Sequence, residues 1–170
     1  MSERLDSMSA VRHKRGAAVR HAAVAHNSES ALLAPPTVVV FSADEKLTAL
    51  TEQAAPSPWK IERCEDAGLG RDLLSLPNVR LVIVDDETVQ EDVRGWLLDR
   101  IRRFVPQALL IYIAASHTPD YEKRARGYAA QYYTAKPLDM DRTLRVLQSY
   151  VRVAADAKIP PSGGSDSHFR

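Results

Sequence analysis

Two short apolar runs end in groups of opposite charge: Leu81-Val82-Ile83-Val84 leads into Asp85-Asp86, and Tyr133-Thr134-Ala135 leads into Lys136-Pro137. Runs of this length, rich in β-branched or aromatic residues, are the pattern of buried strands, so the acid and the amine would stand where such strands end. A carboxylate beside an ammonium supports two kinds of chemistry. It can be a structural ion pair bridging two strand ends. It can also accept a phosphoryl group, if a divalent metal, the lysine and hydroxyl or amide donors together neutralise the charge developing on the phosphoryl oxygens. Asp85-Asp86 can equally do no more than cap a strand-to-loop turn, a place that favours Asp and Asn.

The elements needed to position these groups follow from the hydrophobic pattern. Thr37–Phe41 is a β-branched run, and Ser42 with Glu45 three residues later predicts a capping box opening a helix with Leu47, Leu50 and Ala54 inward. Asp44 would then be a first-turn carboxylate favoured by the helix dipole, and a candidate to touch a cation. Trp59–Cys64 predicts a second strand, Arg71–Leu76 a short helix stopped by Pro77, and Arg80–Val84 the central strand. Val93, Leu97, Ile101 and Phe104 recur at helical spacing up to Pro106, and Ala108–Ala114 predicts a fourth strand. Thr118 caps a helix running to about Ala130, Gln131–Ala135 makes a fifth strand, and Asp139 caps a last helix bearing Leu144, Leu147 and Val151. Tyr132 and Tyr133 alternate on their strand, so one is expected in the core and the other exposed. Strands alternating with helices imply an α/β fold, a doubly wound five-stranded parallel sheet whose active groups gather beyond the carboxyl ends of the strands.

Composition narrows the classes. A chain of 170 residues with 45% apolar and 26% charged residues can bury one core. The net charge of +1 gives no global attraction to nucleic acid or to an acidic membrane surface. Residues 1–36 carry five Lys or Arg against three Asp or Glu and end in Pro35-Pro36; they read as a disordered or weakly helical basic arm, with Val11–His26 Ala-rich. Residues 37–155 form the expected domain, and 156–170, with Pro160-Pro161-Ser162-Gly163-Gly164, a disordered tail too short for an output domain. The basic cluster Arg12-His13-Lys14-Arg15 lacks interleaved aromatics, which argues against nucleic-acid binding, although a DNA-associated regulator using this arm stays an alternative. No apolar run approaches membrane length and no secretion signal opens the chain, which implies a cytoplasmic protein. Cys64, the single cysteine, reads as a small hydrophobe. No zinc spacing, Gly-rich phosphate loop or nucleophile elbow appears, so an independent enzyme is not expected.

The first strand, the Leu81–Asp85 block, Lys136-Pro137 and the aromatic Tyr133 three residues before that lysine together resemble the receiver domain of two-component response regulators. The resemblance covers 37–153 and implies the flavodoxin-like (βα)₅ fold. It implies Asp85 as phosphoacceptor, Lys136 as the group that contacts the phosphoryl, and Tyr133 as a switch aromatic. Family receivers hold Mg²⁺ with two adjacent acids after the first strand; those places fall on Ser42 and Ala43 here, with Asp44 one place late, leaving Asp85 and Asp44 as metal candidates. Ala114 stands where the family keeps a Thr or Ser, so Ser116 could act as a switch hydroxyl only if the strand slipped by two residues. These departures point to a pseudo-receiver: a stand-alone signalling protein in a two-component or phosphorelay pathway, acting through protein contacts, with phosphorylation and Mg²⁺ binding weakened or lost. The alternative is a working phosphoacceptor that recruits Asp44 or Asp86 to hold the metal. The implied partner is a histidine kinase, a downstream effector or a second copy, met through the fourth helix, fifth strand and fifth helix, where Lys123, Arg124, Arg126, Arg142, Arg145 and Arg152 stand.

Overall fold

In a computed structural model that describes residues 34–157, five strands form one sheet. They are β1 (Thr37–Phe41), β2 (Lys60–Cys64), β3 (Val79–Asp85), β4 (Leu109–Ala114) and β5 (Tyr132–Ala135), all parallel in the order β2-β1-β3-β4-β5. The helices are α1 (Glu45–Ala54), α2 (Gly70–Leu74, entered through a 3₁₀ turn at Ala67–Leu69), α3 (Glu91–Phe104), α4 (Pro119–Gly127) and α5 (Met140–Asp156). This is the expected doubly wound arrangement. The readings of an N-terminal arm, its Ala-rich helix and basic cluster, and of a C-terminal tail, lie outside the described residues except at 34–36 and 156–157.

Strand alternation divides the core in two. Val38, Val40, Leu81, Ile83, Ile111 and Ile113 point to one face, where Leu47 and Ala54 of α1 and Leu147 and Val151 of α5 cover them. Val39, Phe41, Val82, Val84, Leu110 and Tyr112 point to the other, covered by Leu74 of α2, Leu97, Leu98 and Ile101 of α3, and Ala125 of α4. Because both faces are covered, the central strands read as continuous apolar runs, and Leu81 to Val84 are each 0% exposed. Each large aliphatic side chain removed from water in this way contributes about 1.5–3 kcal/mol. Gly70 fits because a Cβ there would collide with the ring of Phe41.

Several details depart from the expected pattern. Phe104 does not turn inward; it is exposed, as the last residue of α3 before the backbone leaves the helix at Val105. Tyr132 and Tyr133 are both half-buried, because on opposite faces of edge strand β5 each finds an aromatic neighbour: Tyr150 for Tyr132, and Tyr112 for Tyr133. The helix expected to reach Ala130 stops at Gly127, closed by Ala129 in the left-handed region at φ 61°.

Candidate functional site

The site forms where the sheet changes direction, since β1 connects outward to β2 while β3 lies on its other side. Phe41 is level with Val84, so Ser42 comes level with Asp85 at the carboxyl ends of both strands. Asp85 is 1% exposed. Its Oδ2 accepts from the Ser42 hydroxyl at 2.8 Å and from Lys136 Nζ at 3.0 Å, and its Oδ1 from the Glu87 amide at 3.3 Å. Lys136 arrives through the pairing of Ala135 with Ala114 and the bond from its own amide to the Ala114 carbonyl, at 2.9 Å, and its bond to Pro137 is cis. Its ammonium also donates to the exposed carboxylate of Glu87. Burial pulls the Lys136 pKa down most strongly, but the hydrogen bonds and charges of Glu87 and Asp85 outweigh it and hold the pKa above the ordinary value.

Ser42 does not cap α1. Its hydroxyl is given to Asp85 while its oxygen accepts from the Asp44 amide at 3.0 Å, so the expected capping box with Glu45 is absent. Asp44 takes that role, its Oδ1 accepting from the amides of Lys46 at 2.9 Å and Leu47 at 3.4 Å. The Ala43 amide donates to the Thr88 hydroxyl at 2.8 Å, which ties this loop to the one after β3. Arg63, which the sequence did not suggest, donates from Nε to the Ser42 carbonyl at 3.1 Å and from Nη2 to the Ala43 carbonyl at 2.8 Å. A hard divalent cation such as Mg²⁺ asks for one or two carboxylates and near-octahedral oxygen geometry. The residues here do not fit that demand: Ala43 has no donor atom, Ser42 is spent on Asp85, Asp44 is engaged at the helix end and a guanidinium sits on the adjacent carbonyls. Among the described residues no group of three or more His, Cys, Asp and Glu side chains could hold a metal.

Alternation turns Asp86 away from Asp85, onto the opposite face. It is 5% exposed, accepts from the Tyr112 hydroxyl at 2.7 Å and pairs with Arg94 of α3. Asp86 is therefore committed elsewhere and is not a metal ligand beside Asp85. Burial, then the hydrogen bond to Asp86 and its charge, push the Tyr112 phenol far above its ordinary pKa. Arg94 is itself buried; its Nε faces the Asp86 carboxylate, its Nη1 has no hydrogen-bond acceptor among the described residues, and its guanidinium carbon lies 5.7 Å from the Tyr121 ring centre. A sequence signal that could have marked part of this network is an arginine one turn before Leu97 and Leu98 and two before Ile101, inside an otherwise apolar stripe. Tyr133 stacks on Tyr112 with ring centres 6.2 Å apart and nearly parallel planes, and His117 closes on it at 5.8 Å. Ser116 is exposed and lies two residues beyond β4; the register keeps Ala114 level with Ala135, so the two-residue slip it would need does not occur. Cys64 is buried and donates to the Asp66 carbonyl, and burial raises its pKa, as befits an inert thiol.

Neither a family model nor a curated protein matches the sequence. Solved structures do. The signal receiver domain of a DNA-binding response regulator from Colwellia psychrerythraea is 21% identical, covering 69% of this chain and 98% of its own, with a TM-score of 0.58. A response regulator from Thermotoga maritima is 20% identical, over 70% of this chain and 99% of its own, at 0.57. The CheY-like receiver domain protein from Methanospirillum hungatei is 15% identical, over 72% and 98%, at 0.59. With the parallel five-stranded sheet in the order β2-β1-β3-β4-β5, these likenesses establish that the chain has the flavodoxin-like fold of response-regulator receiver domains.

Proposed function

We propose that this chain is a receiver-like signalling module of the two-component type that works through protein contacts, with its phosphorylation chemistry weakened or lost. One observation carries the reading: the Asp85 carboxylate is already held by a hydroxyl, an ammonium and an amide, while the two residues beside it are Ser42 and Ala43. Transfer to a carboxylate leaves three phosphoryl oxygens whose charge must be neutralised. Ser42 brings no charge to that task. Lys136 is shared with Glu87, whose own carboxylate would repel an incoming phosphoryl group. In this reading Asp85 and Lys136 clamp the ends of β3 and β5, and signalling rests on recognition. The partner face is α4, β5 and α5, where Lys123, Arg124, Arg126, Arg142, Arg145 and Arg152 are exposed, suiting an acidic surface on a kinase, an effector or a second copy in the cytoplasm.

The retained contact between Lys136 and Asp85 supports the rival reading, a working phosphoacceptor. Intact mass after incubation with Mg²⁺ and a small phosphodonor separates the two. The expected result is no mass gain that depends on Asp85, with a gain appearing once Ser42→Asp and Ala43→Asp are introduced together. An Asp85-dependent phosphoryl adduct on the unaltered chain would overturn the proposal in favour of the phosphoacceptor.

A further inference from the structure

The outer face of α3 belongs neither to the strand-end site nor to the α4-β5-α5 face. Leu97, Leu98 and Ile101 bury the inner side of this helix. Its outer side carries two large aromatics, Trp96 at 40% and Phe104 at 43% exposed, two turns apart. Between them Arg100 lays its guanidinium carbon 4.5 Å from the Trp96 ring centre and 5.6 Å from that of Phe104. With Asp99 and Arg103 these three residues line a surface cavity of about 420 Å³. Arg102 is exposed one residue away, and among the described residues Arg100, Arg102 and Arg103 enter no ion pair.

We infer that this face is a docking surface for an acidic protein segment that carries an apolar or aromatic anchor. Trp, Arg and Phe are residue types that concentrate binding energy or are enriched where proteins meet. An arginine already held between two rings has lost much of its rotamer freedom, so less ordering remains when it meets a carboxylate, and its planar fork suits bidentate pairing. Charge selects the partner. Around the cavity two arginines stand against one aspartate, an excess that disfavours a symmetric contact with a second copy and favours an acidic chain. The cavity beside the rings takes the anchor, and Arg100 and Arg103 take the acids.

Selection of displayed random short peptides against the full chain tests this. Enriched peptides are expected to be acidic with an aromatic or aliphatic anchor. They are expected to bind at least about tenfold more weakly, the loss typical of removing a hot spot, to Arg100→Glu/Arg103→Glu and to Phe104→Ala, surface variants whose amide spectra report an intact fold. In a Trp59→Phe background Trp96 is the sole indole, and its emission should shift saturably with the selected peptide, less so at high salt. No enrichment, peptides without acidic bias, equal binding to the variants, or single-stranded oligothymidylate bound through the same residues in place of peptides would each overturn the inference.

Discussion

Asp85 and Asp86 are neighbours in the chain, yet one serves Ser42 and Lys136 and the other Tyr112 and Arg94, because successive strand residues face opposite sides of a sheet. The contact of Asp85 with Lys136 was legible in the sequence, since each ends a recognisable apolar run, whereas the turn of the Ser42 hydroxyl to Asp85 was not. The pairing of Asp86 was not legible either, because a buried tyrosine, arginine and aspartate from three elements meet only once the sheet is assembled. Tyr112→Phe removes a donor from a buried carboxylate and is expected to cost about 1–3 kcal/mol, read as a lowered urea midpoint. Lys136 and Tyr112 also fix the direction of the pH dependence. Both pKa values are raised in the folded chain, from ordinary values of 10.5 and 10.0, so the fold holds these protons more tightly than the unfolded chain does. Their stabilisation is therefore complete below those ordinary values and is lost as pH rises through the higher folded ones. The urea midpoint should fall as pH rises through the ordinary values, and Tyr112→Phe should flatten that fall; an unchanged slope in the variant would refute the assignment.

At the scale of elements, the central strands were legible because burial on both faces writes them as unbroken apolar runs, whereas helix ends depend on single residues. Ser42 and Glu45 have the spacing of a capping box, but Asp85 competes for the Ser42 hydroxyl and the cap passes to Asp44. Asp44→Ala should therefore cost about 1 kcal/mol through loss of the cap. Ser42→Ala should perturb Asp85 and Lys136 more than α1, which side-chain and amide chemical shifts can separate. The end of α4 was overestimated because its closure lacks the usual glycine. The Ala130 amide donates to the Ala125 carbonyl at 3.1 Å and the Ala129 amide to the Arg126 carbonyl at 2.9 Å, a Schellman closure with Ala129 at the left-handed position. Ala129→Gly should raise stability by about 1 kcal/mol, seen as a higher melting temperature. A lower one would contradict that account of the turn.

For the whole molecule, order and period were enough to read a doubly wound sheet, while the fate of its strand-end chemistry depended on which side chains reach Asp85. Among the described residues no helix is long and apolar enough to cross a membrane. The sheet brings Asp85 and Lys136 together at its carboxyl end, while Tyr112 and Tyr133 stack on the opposite face, beside Asp86. Under the proposed function, Mg²⁺ and a phosphoryl mimic leave the Asp85 site unchanged. This is tested most directly by recording amide shifts while titrating Mg²⁺ and then beryllofluoride, with Asp85→Asn in parallel. The expected result is no saturable change at Ser42, Asp85, Lys136 or α4 that the Asp85→Asn chain lacks. Saturable shifts at those amides, abolished by Asp85→Asn, would contradict it and make this chain a phosphorylation switch.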